Sequence, residues 1–233
     1  MKKLLFLPLF ILCSLHLFAQ NLTPTQLKSF REDLALNTRN EPLATIAITR
    51  TCAVAVYGGN GYQENSIPLK LKVTLGAFNG FGLKIRDIHI TESGKWCVVG
   101  DQVQYSDDIP TECKNSITAL IKTERINCVS FDDYGNWVVL GTHTFYASPK
   151  VKEYMELGRD RYGHIHYVNV TNDAIIVSCE TGEWSSVGWD VPLVKNLLKG
   201  LDEIDFNPKV IKLFPYGGYF IGNADISRWA AWF

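Results

Sequence analysis

The chain has no surplus charge of either sign. Its 23 Lys and Arg against 24 Asp and Glu leave a formal net charge of −1, and no basic block interrupts that balance. Nucleic acid is therefore not an expected partner. Long apolar runs are nearly as scarce. The one present, Leu4 to Phe18, follows Lys2-Lys3 and precedes Ala19-Gln20. At about 15 residues it is short for a bilayer span, and it reads as a cleaved signal peptide over residues 1–19. The expected product is a secreted or periplasmic chain of 233 − 19 = 214 residues, with a charge of −3 and no transmembrane span after signal removal. Cys13 follows the bulky Ile11 and Leu12, which argues against lipoprotein processing there.

Cysteine motifs are missing too. No Cys-x-x-Cys pair occurs, and beyond Cys13 the count is odd: Cys52, Cys97, Cys113, Cys128 and Cys179. An oxidising compartment permits disulfides but leaves at least one of these thiols unpaired. Cys97, Cys128 and Cys179 fall inside apolar strand patterns, where cysteine acts as a small buried hydrophobe.

What the chain does have is a recurrence. Ile85-Arg-Asp-Ile88-His-Ile90 leads to Gly94-Lys-Trp96-Cys-Val-Val-Gly100, and Ile126-Asn-Cys-Val129-Ser-Phe131 leads to Gly135-Asn-Trp137-Val-Val-Leu-Gly141. Looser copies run from Ile165 to Val177 and from Val210 to Gly222. Trp96 and Trp137 are 137 − 96 = 41 residues apart, and Val129 and Val168 are 168 − 129 = 39. A recurrence of that length marks a copied supersecondary unit. Each copy reads as a strand, a turn with Gly94 or Gly135, a second strand, a short third strand and a helix. Pro110, Pro149 and Pro192 open the helices, with Cys113, Ile117, Leu120 and Ile121 on one face of the first of them. The first copy is the most diverged: Ile46 and Ile48 fill its first strand and Val54 the tryptophan slot. Its helix slot, Leu69-Lys-Leu71-Lys-Val73-Thr-Leu75, alternates with period two, so residues 68–80 read as helix by position and as strand by pattern.

The ends complete one unit. Thr23-Pro24 with Gln26 form a capping box for a helix bearing Leu27, Phe30 and Leu34, whereas the last copy stops after its strands. A unit split across the termini suits a closed structure. The expected fold class is an α+β repeat, a closed five-unit toroid with two to three antiparallel strands and a helix per unit, forming a single domain over residues 20–233.

The Gly-x-Trp-Val-Val core, standing here as Gly94-Lys-Trp96-Cys-Val98 and Gly135-Asn-Trp137-Val-Val139, resembles that of secreted bacterial toroidal, propeller-like repeat proteins. The resemblance covers most of the mature chain and implies a fold but no activity.

Candidate functional groups are few. Tyr62, Tyr105, Tyr146, Trp184 and Trp229 occupy the third-strand slot of successive units, where aromatics either stack on a glycan or wedge between units. His164 and His166 are two apart, the spacing that shares a face on a strand, but His164 precedes the strand and no third metal ligand lies at a telling distance. Asp107-Asp108 and Asp132-Asp133 lack the alternating spacing of a calcium loop. Asn21-Leu-Thr23 and Asn169-Val-Thr171 match a short glycosylation pattern and are given no role. No cofactor or metal is expected. Five-fold α/β rings include guanidine-modifying enzymes, so a cysteine-dependent hydrolase or guanidine-modifying activity is the alternative to a non-catalytic binding module for a protein or glycan. A structural part of an envelope assembly is the third reading.

Overall fold

A computed structural model of the chain describes residues 21–38, 41–223 and 226–231. The signal segment expected at residues 1–19 lies outside the described residues.

The elements run α1 (Pro24–Asn37), β1 (Leu43–Ile48), β2 (Ala53–Tyr57), β3 (Gly61–Asn65), α2 (Leu69–Gly80), β4 (Ile85–Ile90), β5 (Trp96–Gly100), β6 (Val103–Tyr105), α3 (Thr111–Leu120), β7 (Ile126–Phe131), β8 (Trp137–Gly141) and β9 (Phe145–Ala147). They continue α4 (Pro149–Tyr162), β10 (Ile165–Val170), β11 (Ile175–Cys179), β12 (Glu183–Ser185), α5 (Pro192–Asp202), β13 (Val210–Leu213), β14 (Tyr219–Gly222) and β15 (Ser227–Ala230). Consecutive strands form five separate three-stranded antiparallel sheets, each a simple meander, alternating with five helices.

The continuous apolar run of each middle strand follows from its place. Successive side chains of a strand point to opposite faces, and both faces of these sheets meet a helix. From β5, Trp96 and Val98 pack with Leu71, Leu75 and Phe78 of α2, while Cys97 and Val99 pack with Cys113, Ile117 and Leu120 of α3. From β8, Val139 joins the α3 cluster, and Val138 and Leu140 join Val151 and Met155 of α4. Each helix is thus clamped between two sheets. For α1 the two are the first and the last: Leu27, Phe30 and Leu34 share a core with Ala53 and Ala55 of β2 and with Phe220 of β14.

Segment 69–80 is a helix despite its alternating sequence. Leu71, Leu75 and Phe78 are one and two turns apart and become buried, whereas Leu69 and Val73 are left exposed on the far side. Burial of one stripe between two sheets outweighs the local period. Two details differ from expectation. Pro110 is the cap of α3 rather than its first residue, and Ile121 is exposed. The Ser148 hydroxyl does not cap α4; it accepts the Trp137 N–H at 3.1 Å. Ser106 does the same for Trp96, and Ser186 for Ile175. Each serine closes its sheet where the third strand ends.

A bulge recurs as well. The pairing register slips at Ala44, Arg86, Asn127 and His166 in the first strands of four units, and β13 has no such slip. The extra residue turns its side chain out of the ladder, which is why Arg86, Asn127 and His166 are half-exposed. No described helix is long and apolar enough to cross a membrane.

Candidate functional site

The first strands carry buried polar residues that alternate with apolar ones. By pairing register Ala47, His89, Ser130, Asn169 and Lys212 stand level with one another, and Thr45, Asp87, Cys128 and Tyr167 form a second level in four of the units. Residues two apart on a strand share a face, so both levels point the same way. All of these side chains are buried.

Each first strand is tied to its neighbour through them. Thr45 donates to Asp87 Oδ1 at 3.1 Å. The His89 Nε2–H donates to the Phe131 carbonyl at 2.6 Å, and its Nδ1 accepts from the Ser130 hydroxyl at 3.1 Å, a tautomer assigned from those partners. Ser130 Oγ accepts the Val170 N–H at 2.8 Å, and Asn169 Oδ1 accepts the Leu213 N–H at 2.8 Å. Lys212 Nζ donates to Thr45 Oγ1 at 2.7 Å, to Asp87 Oδ1 at 2.5 Å and to the Ile88 carbonyl at 2.8 Å. The Tyr167 hydroxyl donates to the other oxygen of Asp87 at 2.7 Å. The buried ion pair therefore has every ammonium proton placed, which such a pair needs to survive desolvation. Burial dominates the titration of His89 and pulls its pKa down to about 4, so the imidazole is neutral at pH 7.

Above this network the strands end in five hairpin turns closed by the same backbone bond, from Thr49 to Cys52, Thr91 to Lys95, Asp132 to Asn136, Thr171 to Ala174 and Phe214 to Gly218. Four of the turns line a cavity of about 50 Å³ together with His89, Asn169 and Lys212; Thr91, Glu92 and Asp173 are among the turn residues that face it, and the Asp132–Asn136 turn contributes none. That volume holds a few waters or the tip of a ligand. His89 and Lys212 have spent their polar atoms on the protein. Asn169 has not, because no described residue engages its Nδ2. On the rim, Arg50 sits 3.4 Å from Glu92 and 3.9 Å from Asp173, and its guanidinium lies 5.5 Å from the Tyr216 ring centroid. Tyr216 has φ 58°, a strained value for a side-chain-bearing residue. Tyr134 and Tyr216 are exposed, at 76% and 55%.

The third-strand aromatics do not converge. Tyr62 pairs with Val56, Tyr105 with Cys97, Tyr146 with Val139, Trp184 with Val177 and Trp229 with Phe220, which places them at three different levels of their sheets. Tyr62, Tyr105, Trp184 and Trp229 are half-buried against the α2, α3, α4 and α1 clusters, while Tyr146 is exposed. His164 and His166 contact each other edge-to-face with centroids 5.4 Å apart. Among the described residues no group of three His, Cys, Asp or Glu is arranged to hold a metal. Asp107 pairs with Lys70, and Asp133 accepts from Ser93 and Asn172. Asn169 is buried and cannot accept a glycan in the folded chain.

Cys52, Cys97, Cys113, Cys128 and Cys179 are all buried and free. Desolvation pushes Cys52 and Cys179 up to about 11 and Cys113 to about 12, and it raises Cys97 and Cys128 as well. A nucleophilic thiol needs the opposite environment.

No family model, curated protein or solved structure matches the chain.

Proposed function

We propose that the protein is a secreted, non-catalytic binding module, built as a closed five-unit toroid, that takes a protein or glycan ligand at the hairpin end of its first strands. Closure is supported by the Lys212 to Thr45 bond between the fifth and first units and by the α1 core shared by the first and last sheets. The binding reading rests on one observation: four of the five turns line a cavity where the Asn169 Nδ2 is unengaged, beside the exposed Tyr216 and the carboxylates of Glu92 and Asp173. Loops held by a rigid scaffold suit recognition without a reactive group. Among the third-strand aromatics Tyr146 alone is exposed, so that set has less surface to offer. A thiol enzyme is less well supported because burial raises every described thiol. A structural role in an envelope assembly would use the same exposed surfaces.

The test is a glycan array and partner screen with the wild type and with Tyr134→Ala, Tyr216→Ala and Glu92→Gln. The reading expects ligands retained by wild type and lost by these variants at unchanged melting temperature. A Tyr146→Ala variant is run beside them, and loss confined to it would move the site to the third strands.

A further inference from the structure

A second recess lies away from the hairpin turns, between β12 and the outer end of α5, with a volume of about 370 Å³. Three rings, Tyr162, Trp189 and Phe206, line it together with the carboxylates of Glu183 and Asp202. Among the described residues neither carboxylate has a cation within salt-bridge distance. The next acid along, Glu203, has two: Lys199 at 3.8 Å and Arg228. Glu183 is half-buried, and loss of water raises its pKa with no cation beside it to pull it back. A carboxylate held this way in an aromatic wall costs free energy that a bound cation would offset.

We propose that this groove binds a small, free methylated ammonium compound of the choline type. The argument for methylated nitrogen is one of matching surfaces. A primary ammonium brings three N–H donors that each need an acceptor, whereas the lining residues besides Glu183 and Asp202 are the three rings, Leu198, Leu201, Ile204 and Pro208. A methylated ammonium is weakly hydrated, lays its methyl groups on those walls and leaves its charge to Glu183 and Asp202, with Trp189 the strongest ring partner. Tyr162 already has the Arg161 guanidinium 5.3 Å from its centroid, so Trp189 and Phe206 carry the cation contact. This site does not depend on the hairpin-end reading.

Calorimetric titration of the full chain with choline and tetramethylammonium, against the neutral isostere 3,3-dimethylbutan-1-ol, tests it. Saturable binding is expected for both cations, with the isostere roughly tenfold weaker or worse. Glu183→Gln should lose roughly tenfold in choline affinity at an unchanged melting temperature, since it keeps shape and removes charge. Trp189→Leu should abolish binding; should that variant fail to fold, Glu183→Gln and Asp202→Asn decide. Equal affinity for the isostere, wild-type affinity in Glu183→Gln, or no saturable heat with either cation overturns the proposal. Binding to phosphatidylcholine vesicles but not to free choline also overturns it.

Discussion

Lys212 of the fifth unit and Asp87 of the second meet with 2.5 Å between Nζ and Oδ1, and their side chains are only 3% and 4% exposed. The pair is remote in sequence, and it also gathers Thr45 of the first unit and Tyr167 of the fourth. Removing one partner leaves the other charged and dry. Lys212→Met is therefore expected to destabilise the fold by about 3–5 kcal/mol, and replacing both residues by apolar ones should recover most of that. Urea denaturation of the two single variants and the double variant measures the coupling; additive losses would mean the pair is not energetically linked.

The α1 helix is held by both ends of the chain. The Phe30 and Trp229 rings meet edge-on with centroids 6.4 Å apart, and Arg31 donates to the Ala231 carbonyl. Phe30→Ala should cost about 3–5 kcal/mol. Deleting residues 209–233 should abolish cooperative melting everywhere, because Phe220 and Lys212 leave with the segment. An intact melt and near-UV circular dichroism signal in the truncated chain would favour an open stack.

His89 makes acid a specific stress. Unfolded, the imidazole takes a proton near its ordinary value of 6.5, but folded it does so only near 4, so between those values the unfolded chain binds more protons. Stability is then full above pH 6.5 and falls as pH drops toward 4. The loss from this group between pH 7 and pH 4.5 is on the order of 2–3 kcal/mol. Unfolding free energies of wild type and His89→Gln at both values should differ in slope by that amount; parallel curves would rule the histidine out.

Much of the repeat can be read directly in the sequence because it is written in apolar residues. The run Trp96 to Gly100 announces a strand buried on both faces, and the Thr23 and Gln26 capping box fixes the start of α1. The candidate sites are harder to see for a physical reason. Lys212, Asp87 and Tyr167 belong to different copies and share no motif, since each replaces the polar residue of its own unit with a different one. The aromatic alignment fails through loop length. The three-residue loops Gly58 to Asn60 and Thr142 to Thr144 differ in size from Asp101 and Gln102, so the third strands pair in different registers with their middle strands. Trp189 and Phe206 lie in connections outside the repeated unit, where no pattern draws attention to them.

The two repeat tryptophans should not behave alike. Trp96 is 4% exposed in the α2 cluster, whereas Trp137 is half-buried at the edge of the α3 cluster. Trp96→Ala should cost about 3–5 kcal/mol and Trp137→Ala markedly less. Chemical denaturation reads both, and equal losses would contradict the difference in burial.

Thiol chemistry gives the sharpest test of the non-catalytic reading. With burial raising all five described cysteines, none holds a useful thiolate fraction at pH 7, and none is open to a reagent. At these five positions the folded protein should therefore react with an aromatic disulfide reagent only slowly, and all five thiols should appear when guanidinium is added. Reaction at a rate set by local opening, independent of reagent concentration, would fit buried structural cysteines. One thiol alkylated within seconds at neutral pH would instead identify a nucleophile and return the protein to the enzymes.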